Sequence, residues 1–456
     1  MPHATFTFLN HACFMVRTEA ALLVADPWLE GAVLDGAWSL VDGTTSNAGL
    51  LDQLNAAGVP VYIWCSRAQP DRFSLPFLRR FRSEFRGIAT FLYRPGRDMR
   101  LRDELRRQRL PVAECPDGVT VALAGDLRLT ALANGDGDSA CLINCAGRSI
   151  LNLGERALAT AADCRAVAPR IGKAASRIDL LLTGFGSMGW CGNPEQFAVR
   201  EAAAGAAAER LALQVEYFRP KLVVPIASFA RFSRADNVWL NGGRLSPAEL
   251  LEQARLEHLR GVVRFLKPGA ALDLQRDTPG TLAGAHEAAL EHWSECWRKR
   301  PPPLPRPSQA SLGELKAAFA RYHERVTAGM HVLPRLLETV GPLKPLLVHL
   351  PDLRQTVELS YRHGFRLKPR ETAAHVAMFS GTALQLLRAE DGFDSVYAGG
   401  CFWTLRRSGL SAFGRFFLPQ RMGRRGADRR RPLRMGGYLW RALLARMARQ
   451  LQAALR

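Results

Sequence analysis

The order of apolar runs along the chain constrains its fold more than any other feature of the sequence. Short apolar or alternating runs separated by turn residues fill the first quarter, at 5–9, 13–17, 22–26 and 61–65, and this pattern is typical of β-strands. Strand patterns at 180–185 and 222–225 then alternate with helical patterns at 158–168, 194–218 and 247–259. Strands followed by βα alternation predict sheets layered with helices.

A proline-rich segment, 299–307 (KRPPPLPRP), is the clearest boundary in the chain, because consecutive prolines form a stiff linker rather than a packed element. We therefore predict a layered domain over residues 1–275, a helix with a proline-rich linker over 276–309, and a mostly helical domain over 310–456. In the last part, helical patterns cover 311–325 and 332–339, and a strand-like patch covers 395–405.

Positive charge is concentrated at the C-terminal end. Of the net charge of +20, residues 405–456 supply +13, from 14 arginines and a single acid, Asp428. Residues 438–456 have the pattern of a basic amphipathic helix, with Phe413, Phe416 and Phe417 upstream. Such a segment can bind an anionic membrane surface, here through 413–456, or pack on its own domain beside a solvated basic loop. Nucleic acid ranks below a membrane as a partner, because no nucleic-acid-binding motif is visible.

The cysteine pattern indicates a reducing compartment. The nine cysteines are dispersed without a C-x-x-C pair, which favours free thiols over a disulfide framework. We see no secretory signal in the first residues and no apolar run long enough to span a bilayer. We therefore expect a cytoplasmic protein, either free or peripheral at the inner face of the membrane.

Four segments in order resemble the metallo-β-lactamase superfamily, in the branch of the ascorbate-6-phosphate lactonases, N-acyl phosphatidylethanolamine phospholipase D and the non-Rieske part of CMP-N-acetylneuraminate hydroxylase. They are FTFLNHACF at 6–14 with ADPWL at 25–29, IWCSRAQPDRFS at 63–74, DS at 138–139 with ILNLGE at 150–155, and PIASF through RADN to LN over 225–241. The resemblance covers about the first 275 residues and implies an α/β fold, the superfamily's αβ/βα sandwich.

The metal-binding histidines of this family are missing from the chain. Arg67, Gln69 and Arg72 stand where the family's H-x-H-x-D-H motif has histidines, and Asp71 alone matches. The same alignment puts Glu155 at the bridging carboxylate position and Arg234 at the late histidine. Because a guanidinium does not lose its proton or ligate a metal, we expect no zinc at this site and no other cofactor.

Three interpretations of the replaced site stay open. Arg67, Arg72 and Arg234 balance the charges of Asp71, Glu155 and Asp236, so they can form a closed salt-bridge network. Alternatively, some of these arginines bind a phosphate or carboxylate of a ligand. The third interpretation, a Mg²⁺ or other hard cation held by the three carboxylates and Asn237, ranks last because the arginines would repel the ion.

Other residues near the aligned segments are secondary candidates. His11 follows the first strand and is a candidate base, although a lone histidine beside a turn is more often structural. Ser187 and Trp190 lie in a glycine-rich stretch that the resemblance places beside the site, where they are candidate ligand-binding residues. His286 and His292 fall on one helical pattern with Trp293 and Trp297, and their spacing favours packing over zinc binding.

The sequence thus predicts a metallo-β-lactamase-fold protein that binds an anionic ligand, such as a phosphorylated or sugar-linked molecule, without hydrolysing it, or that assists a partner enzyme. One alternative is an enzyme with rebuilt chemistry, in which Asp71, Glu155 or Asp236 acts as a catalytic carboxylate assisted by arginines. Another alternative is a membrane-surface scaffold that acts through its basic C-terminal helix.

Overall fold

We describe the protein from a computed structural model that defines residues 3–96, 99–134, 138–155, 158–186, 188–328, 337–339 and 343–424. The chain divides into two compact units, one formed by residues 1–96 and 100–305 and the other by residues 97–99 and 306–456. The division falls inside the proline-rich segment, between Pro305 and Arg306.

A seven-stranded sheet forms one layer of the N-terminal unit. In spatial order its strands are β15 (Ala271–Asp273), β1 (Ala4–Asn10), β2 (Cys13–Thr18), β3 (Leu22–Ala25), β5 (Val61–Cys65), β6 (Ala89–Tyr93) and β7 (Val112–Glu114). Strands β1 to β3 are antiparallel, and β3, β5, β6 and β7 are parallel. Parallel neighbours need crossover connections, which here contain α1 (Asn47–Asn55), α2 (Leu75–Glu84) and α3 (Arg100–Arg107).

A six-stranded sheet forms the other layer. Its strands in spatial order are β13 (Leu222–Ile226), β12 (Leu180–Gly184), β11 (Arg148–Asn152), β10 (Asp138–Cys145), β9 (Leu127–Asn134) and β8 (Thr120–Ala124). The parallel strands β11, β12 and β13 are connected through α4 (Ala161–Ala174) and α5 (Phe197–Phe218). A separate two-stranded ribbon pairs β4 (Trp38–Leu40) with β14 (Ala230–Phe232).

The two large sheets pack face to face between outer helices. Phe14 and Val16 of β2 belong to the central core with residues of the second sheet, whereas Cys13 and Met15 belong to the core beneath α1 and α2. This alternation follows from the period of two along a strand. The predicted αβ/βα sandwich is therefore confirmed.

The first unit continues beyond residue 275. Helix α7 (Ala283–Arg298) is joined to the core by Trp293, whose ring stacks on Phe229 with centroids 4.1 Å apart and whose Nε1 donates to the Leu266 carbonyl at 2.9 Å. Within the proline-rich segment, the Leu304 amide donates to the carbonyl of Ser233 at 2.7 Å. Both the helix and the start of the proline-rich segment are consequently packed parts of this unit.

The second unit combines helices with a five-stranded sheet. The strands in spatial order are β18 (Gly364–Lys368), β17 (Gln355–Ser360), β16 (Leu346–Leu350), β19 (Val376–Ala377) and β20 (Trp403–Thr404). The helices are α8 (Leu312–Thr327), Ser380–Arg388, Gly392–Gly399, Gly409–Phe416 and Leu418–Arg424. This part contains the helices that the sequence predicts, together with a sheet that the sequence patterns do not reveal.

One local prediction in this unit is wrong. The strand-like patch at 395–405 contains only the two strand residues of β20, and its first half is the helix Gly392–Gly399. Phe393 and Val396, spaced as neighbours on one helical face, are both buried. The helix ends because Gly400 adopts a left-handed conformation, with φ of 66°.

The aromatic residues assigned to a membrane-binding segment lie in the interior of the second unit. Phe413, Phe416 and Phe417 are fully buried; Phe417 contacts the other two, and Phe413 and Phe417 both contact Phe393. In the described ranges, no helix has both the length and the apolar character needed to cross a bilayer. The rest of the basic segment, 425–456, and most of the predicted helix at 332–339 lie outside the described residues.

Candidate functional site

The loop after β5 carries Arg67, Gln69, Asp71 and Arg72, and it brings Asp71 and Arg72 into the interior. The Gln69 carbonyl accepts hydrogen bonds from the amides of Arg72 and Phe73 at 2.9 and 2.8 Å, which folds the loop tightly. Ser74 then begins α2 as its N-cap, accepting from the Phe77 amide. As a result Arg67 and Asp71 lie close together, four residues apart, and the half-buried Gln69 contributes backbone contacts to the turn.

Asp71 is the centre of a buried ion-pair cluster. Its Oδ2 accepts from Arg67 Nη2 at 2.7 Å and from Arg72 Nε at 3.1 Å. The same Nη2 of Arg67 reaches Glu155 Oε2 at 3.3 Å. Burial opposes ionisation of Asp71, but the two guanidiniums outweigh it and lower the pKa of the carboxyl to about 2.

Asp26 extends this cluster and was not predicted as a site residue. It follows β3, its oxygens accept from the amide and hydroxyl of Ser66 at 2.8 and 2.7 Å, and Arg72 Nη1 lies 3.7 Å from its Oδ2. Here burial dominates over Arg72 and raises the pKa of Asp26 to about 6. Two neighbouring carboxylates, Asp26 and Asp71, therefore have pKa values shifted in opposite directions.

His11 is buried beside the cluster with unsatisfied ring nitrogens. Its Nε2 lies 4.0 Å from Asp71 Oδ2, its ring meets Trp28 edge-on, and neither ring nitrogen has a hydrogen-bond partner. Burial, reinforced by the positive charge of Arg72, lowers the pKa of His11 well below its ordinary value. The imidazole is consequently neutral at pH 7.

Backbone strain accompanies these side chains. His11, Asp26 and Ala227 have φ values of 45°, 46° and 59°, in the left-handed region that non-glycine residues avoid. The His11 carbonyl accepts the Ala227 amide at 2.6 Å, so two of the three strained residues hold each other. Such strain tends to collect at functional sites, where the surroundings enforce it.

Arg234, Asp236 and Asn237 form a second buried cluster. Arg234 donates through Nε and Nη2 to both oxygens of Asp236, at 2.9 and 2.6 Å. Asn237 Oδ1 accepts the Arg234 amide at 2.9 Å, and its Nδ2 donates to the Ala37 carbonyl at 2.9 Å. These bonds tie the turn after β14 to the segment before β4.

The residues that the resemblance aligns with metal positions do not fit a zinc pair. Arg67 and Arg72 offer only protonated guanidiniums, and the carboxylates that would have to ligate, Asp71 and Glu155, accept from Arg67 instead. His11 supplies one neutral imidazole, whereas zinc sites of this type require several. The guanidiniums likewise argue against a Mg²⁺ ion at Asp71 and Glu155.

The remaining predicted residues have no assigned role in these clusters. Trp190 is partly buried in the loop after β12, and Ser187 lies outside the described residues.

A basic and aromatic groove of about 920 Å³ lies in the same unit. Its lining residues include five cations and four aromatic side chains beside a single acid, Glu249: Arg231, Arg244, Arg298, Lys299, Arg300, Phe197, Phe232, Trp239 and Trp297. Glu249 is engaged in capping α6 (Pro247–Glu252), where it accepts the Ser246 amide at 2.7 Å. The groove therefore has a strongly positive lining.

Arg244 connects the groove with the Asp71 cluster. It lines the groove, its Nη2 donates to the Ser228 carbonyl at 3.0 Å, and its guanidinium lies over the Trp297 ring. Burial lowers the pKa of Arg244 to about 10, opposed by the negative charge of Glu155. The positive charge of Arg244 in turn contributes to the lowered pKa of His11.

Sequence reasoning missed Arg231 and Arg244, although both lie in or just after the fourth aligned segment. Arg231 Nη1 donates to the Lys299 carbonyl at 2.6 Å, and its Nη2 donates to the carbonyls of Val41 and Cys296 at 3.0 and 2.9 Å. The available signal was that Arg231 lies within the fourth segment and that Arg244 follows shortly after its end. Their grouping with Trp297 depends on how α7 packs, which the spacing does not reveal.

Comparisons with known proteins identify solved structures that are similar to part of this chain. No protein-family model matches the chain, and no curated protein matches it significantly. Part of the chain is similar to CmlA, a diiron beta-hydroxylase from Streptomyces venezuelae, with 17% identity over 59% of this chain and 54% of CmlA and a TM-score of 0.39. The matched part thus spans about half the length of CmlA.

Part of the chain is also similar to two further solved structures. Igni18, a metallo hydrolase from Ignicoccus hospitalis, is 16% identical over 59% of this chain and 98% of its own, with a TM-score of 0.38. The metallo-beta-lactamase fold protein YhfI from Bacillus subtilis is 10% identical over 60% of this chain and 100% of its own, with a TM-score of 0.36.

Proposed function

We propose that this protein binds an anionic ligand in the groove lined by Arg231, Arg244 and Trp297 and does not hydrolyse it through a zinc pair. The observation that carries the proposal is that two half-buried arginines line a large groove while their hydrogen bonds go to carbonyl and amide oxygens. Within the described residues, neither Arg231 nor Arg244 forms an ion pair with a carboxylate. Partly desolvated cations of this kind are stabilised when an anion supplies the opposite charge.

The arginines of the degenerate motif fit a different role. Arg67 and Arg72 share Asp71, and Arg234 forms a two-pronged pair with Asp236. These bonds support the salt-bridge interpretation for the former metal positions. Arg231 and Arg244, by contrast, donate to carbonyl oxygens and line the open groove.

The composition of the groove favours a ligand with both an anionic group and a ring. Guanidiniums recognise phosphates and carboxylates through paired hydrogen bonds, and aromatic walls such as Trp297 and Trp239 stack against planar or sugar rings. The volume is in the range of small-molecule sites. A phosphorylated or nucleotide-linked sugar meets these requirements, acting either as the bound ligand itself or as the group presented to a partner enzyme.

Isothermal titration calorimetry with three probes tests the proposal: inorganic pyrophosphate, a nucleoside diphosphate and a nucleoside diphosphate sugar. Replacing Arg244 with Gln would remove a charge-assisted hydrogen bond to the ligand. The expected loss of binding free energy is about 1.5–3 kcal/mol, which corresponds to a ~10–150-fold weaker Kd. Arg231→Gln should act similarly, and the exposed Arg80→Gln is the matched control. Binding of none of the probes, or equal binding by all variants, would contradict the proposal.

An enzyme with rebuilt chemistry is the second candidate function, and His11 favours it. A neutral, strained imidazole beside Asp71, with neither ring nitrogen hydrogen-bonded, has the chemical form that a general base requires. In this alternative His11 or Asp71 would accept a proton, and Arg244 would stabilise negative charge that develops on a substrate entering from the groove.

Turnover assays distinguish the two functions. Lactone and phosphodiester substrates would be incubated with wild-type protein, His11→Gln and Asp71→Asn, each with and without a chelator. Activity that survives the chelator and disappears in both variants supports the enzyme. Tight probe binding without turnover supports the binding protein instead.

A further inference from the structure

Three side chains with metal-binding chemistry meet at one point away from the Asp71 cluster. Asp42 follows β4, whereas His292 and Cys296 lie one turn apart on α7. His292 Nε2 is 3.0 Å from Asp42 Oδ2, Cys296 Sγ is 3.7 Å from the same nitrogen, and Sγ is 3.9 Å from the same oxygen. The three atoms therefore form a small triangle around a common centre.

The size of this triangle matches the ligand shell of zinc. Tetrahedral bonds of ~2.0–2.2 Å to nitrogen and oxygen and ~2.3 Å to sulfur place the ligand atoms roughly 3.3–3.6 Å apart. The three observed separations each lie within about 0.4 Å of that range. Small side-chain rotations suffice to bring all three atoms to bonding distance.

The arrangement does not fit a catalytic triad. In a triad the histidine uses one ring nitrogen for the nucleophile and the other for the carboxylate. Here Cys296 Sγ and Asp42 Oδ2 approach the same nitrogen, Nε2 of His292. Convergence on a single point is what a metal ion requires.

We propose that Asp42, His292 and Cys296 bind a zinc ion, with a water molecule as the fourth ligand. A thiolate, an imidazole and a carboxylate are the donor types that zinc selects. Asp42 and Cys296 are buried, and the His292 side chain is 26% exposed, which leaves a path for the metal and the water. Binding releases the thiol proton of Cys296 to solvent.

The surroundings hold the carboxylate in a ligating orientation. Asp42 Oδ1 accepts from the amide and the hydroxyl of Thr44 at 2.8 and 2.6 Å, so Oδ2 is directed to His292 and Cys296. Asn10 Nδ2 donates to the Asp42 carbonyl at 3.2 Å and fixes the backbone. Outer contacts of this kind set the geometry and affinity of protein metal sites.

This zinc site departs from the expectation that His292 serves in packing and that the chain holds no metal. That expectation was derived from the arginines of the degenerate motif and from spacing along one helix. Asp42 supplies the third ligand from a distant part of the sequence. Asp42, His292 and Cys296 are not among the groove residues, and the tests of this site measure metal content and spectra, so either proposal can fail without the other.

Zinc content and cobalt spectroscopy on the full chain test the site. We expect one zinc per chain by mass spectrometry after dialysis against Zn²⁺, and for the Co²⁺ form a thiolate-to-metal charge-transfer band with tetrahedral d–d bands. Cys296→Ser and His292→Gln should each remove these bands and weaken Zn²⁺ binding by at least ~100-fold, more than the loss of an outer-shell partner costs. The matched control, Cys191→Ser, should retain both bands and zinc.

A milder variant keeps the test decisive if a ligand substitution prevents folding. Thr44→Val removes only the hydroxyl contact to Asp42 and should weaken Zn²⁺ binding by ~10-fold or more, with the cobalt bands retained. A wild-type chain that binds no zinc would overturn the proposal. So would a stoichiometric metal whose spectrum lacks the thiolate band or which persists in Cys296→Ser.

Discussion

Replacing Asp71 with Asn tests whether Asp71, Arg67 and Arg72 form a stabilising ion-pair cluster. Asn has nearly the same shape as Asp but no negative charge, so the change leaves Arg67 and Arg72 beside a neutral amide. Both guanidiniums bond the Asp71 carboxylate, and Arg72 is almost completely buried. Removing one partner of a buried ion pair is costly because the remaining charge stays desolvated.

The magnitude follows from the pKa of Asp71. The pKa falls from 3.8 to about 2 in the folded protein, and a shift of ~2 units corresponds to ~2.5 kcal/mol in favour of the ionised native state. This contribution is present above the unfolded value of 3.8 and is lost as pH falls towards 2. The uncompensated guanidiniums add to the loss, so we expect Asp71→Asn to destabilise the first unit by ~3 kcal/mol at pH 7.

Urea unfolding followed by tryptophan fluorescence measures this change, because seven of the nine tryptophans lie within residues 1–305. Glu84→Gln is the matched control: it removes one partner of the exposed Arg80–Glu84 pair and should change stability little. The difference between wild type and Asp71→Asn should also shrink as the pH is lowered from 7 to 3. A loss below about 1 kcal/mol at pH 7, or a difference that does not depend on pH, would refute the ion-pair account.

Three further predictions concern the same unit. The pKa of Asp26 is raised from 3.8 to about 6, so the folded protein loses stability as pH rises through this window, by on the order of 3 kcal/mol. Asp26→Asn should remove this loss. Unfolding of both proteins at pH 4.5 and 7.5 measures the difference. Gly184→Ala should cost ~1–3 kcal/mol, because a Cβ there would lie 2.7 Å from the Glu155 carbonyl oxygen. Gly205 lies inside α5 with open space around it. Gly205→Ala should therefore increase the free energy of unfolding by up to ~1 kcal/mol, which a higher melting temperature would show.

The layered fold was predictable because strand and helix periods are local. The runs at 13–17 and 61–65 became β2 and β5, and the helical pattern at 194–218 became α5. Two strands of the second unit's sheet could not be recognised, since β19 and β20 have two residues each and depend on pairing with strands that are distant in sequence. Short strands carry too little periodicity to be distinguished from loops.

The candidate site was predictable only in part, for a related reason. The motif positions of Arg67, Asp71, Arg72 and Glu155 come from one alignment of segments, and the structure joins them in one cluster. The sequence predicted that arginines would pair with Asp71 and Glu155. Which arginine contacts which carboxylate depends on the conformation of the loop after β5. Arg244 and the triad of Asp42, His292 and Cys296 depend on tertiary packing.

The buried arginines of these clusters affect whether the same carboxylates can hold a metal. An arginine remains charged at any pH the fold survives, so each such substitution requires a permanent counter-charge in the interior. Asp71 and Asp236 supply that charge to Arg67, Arg72 and Arg234 at bonding distance. These carboxylates are thereby occupied, and a single substitution such as Arg67→His would leave Asp71 paired with Arg72. A zinc pair at these carboxylates therefore requires several simultaneous changes, and zinc binding by the single Arg67→His variant at Asp71 would contradict this reasoning.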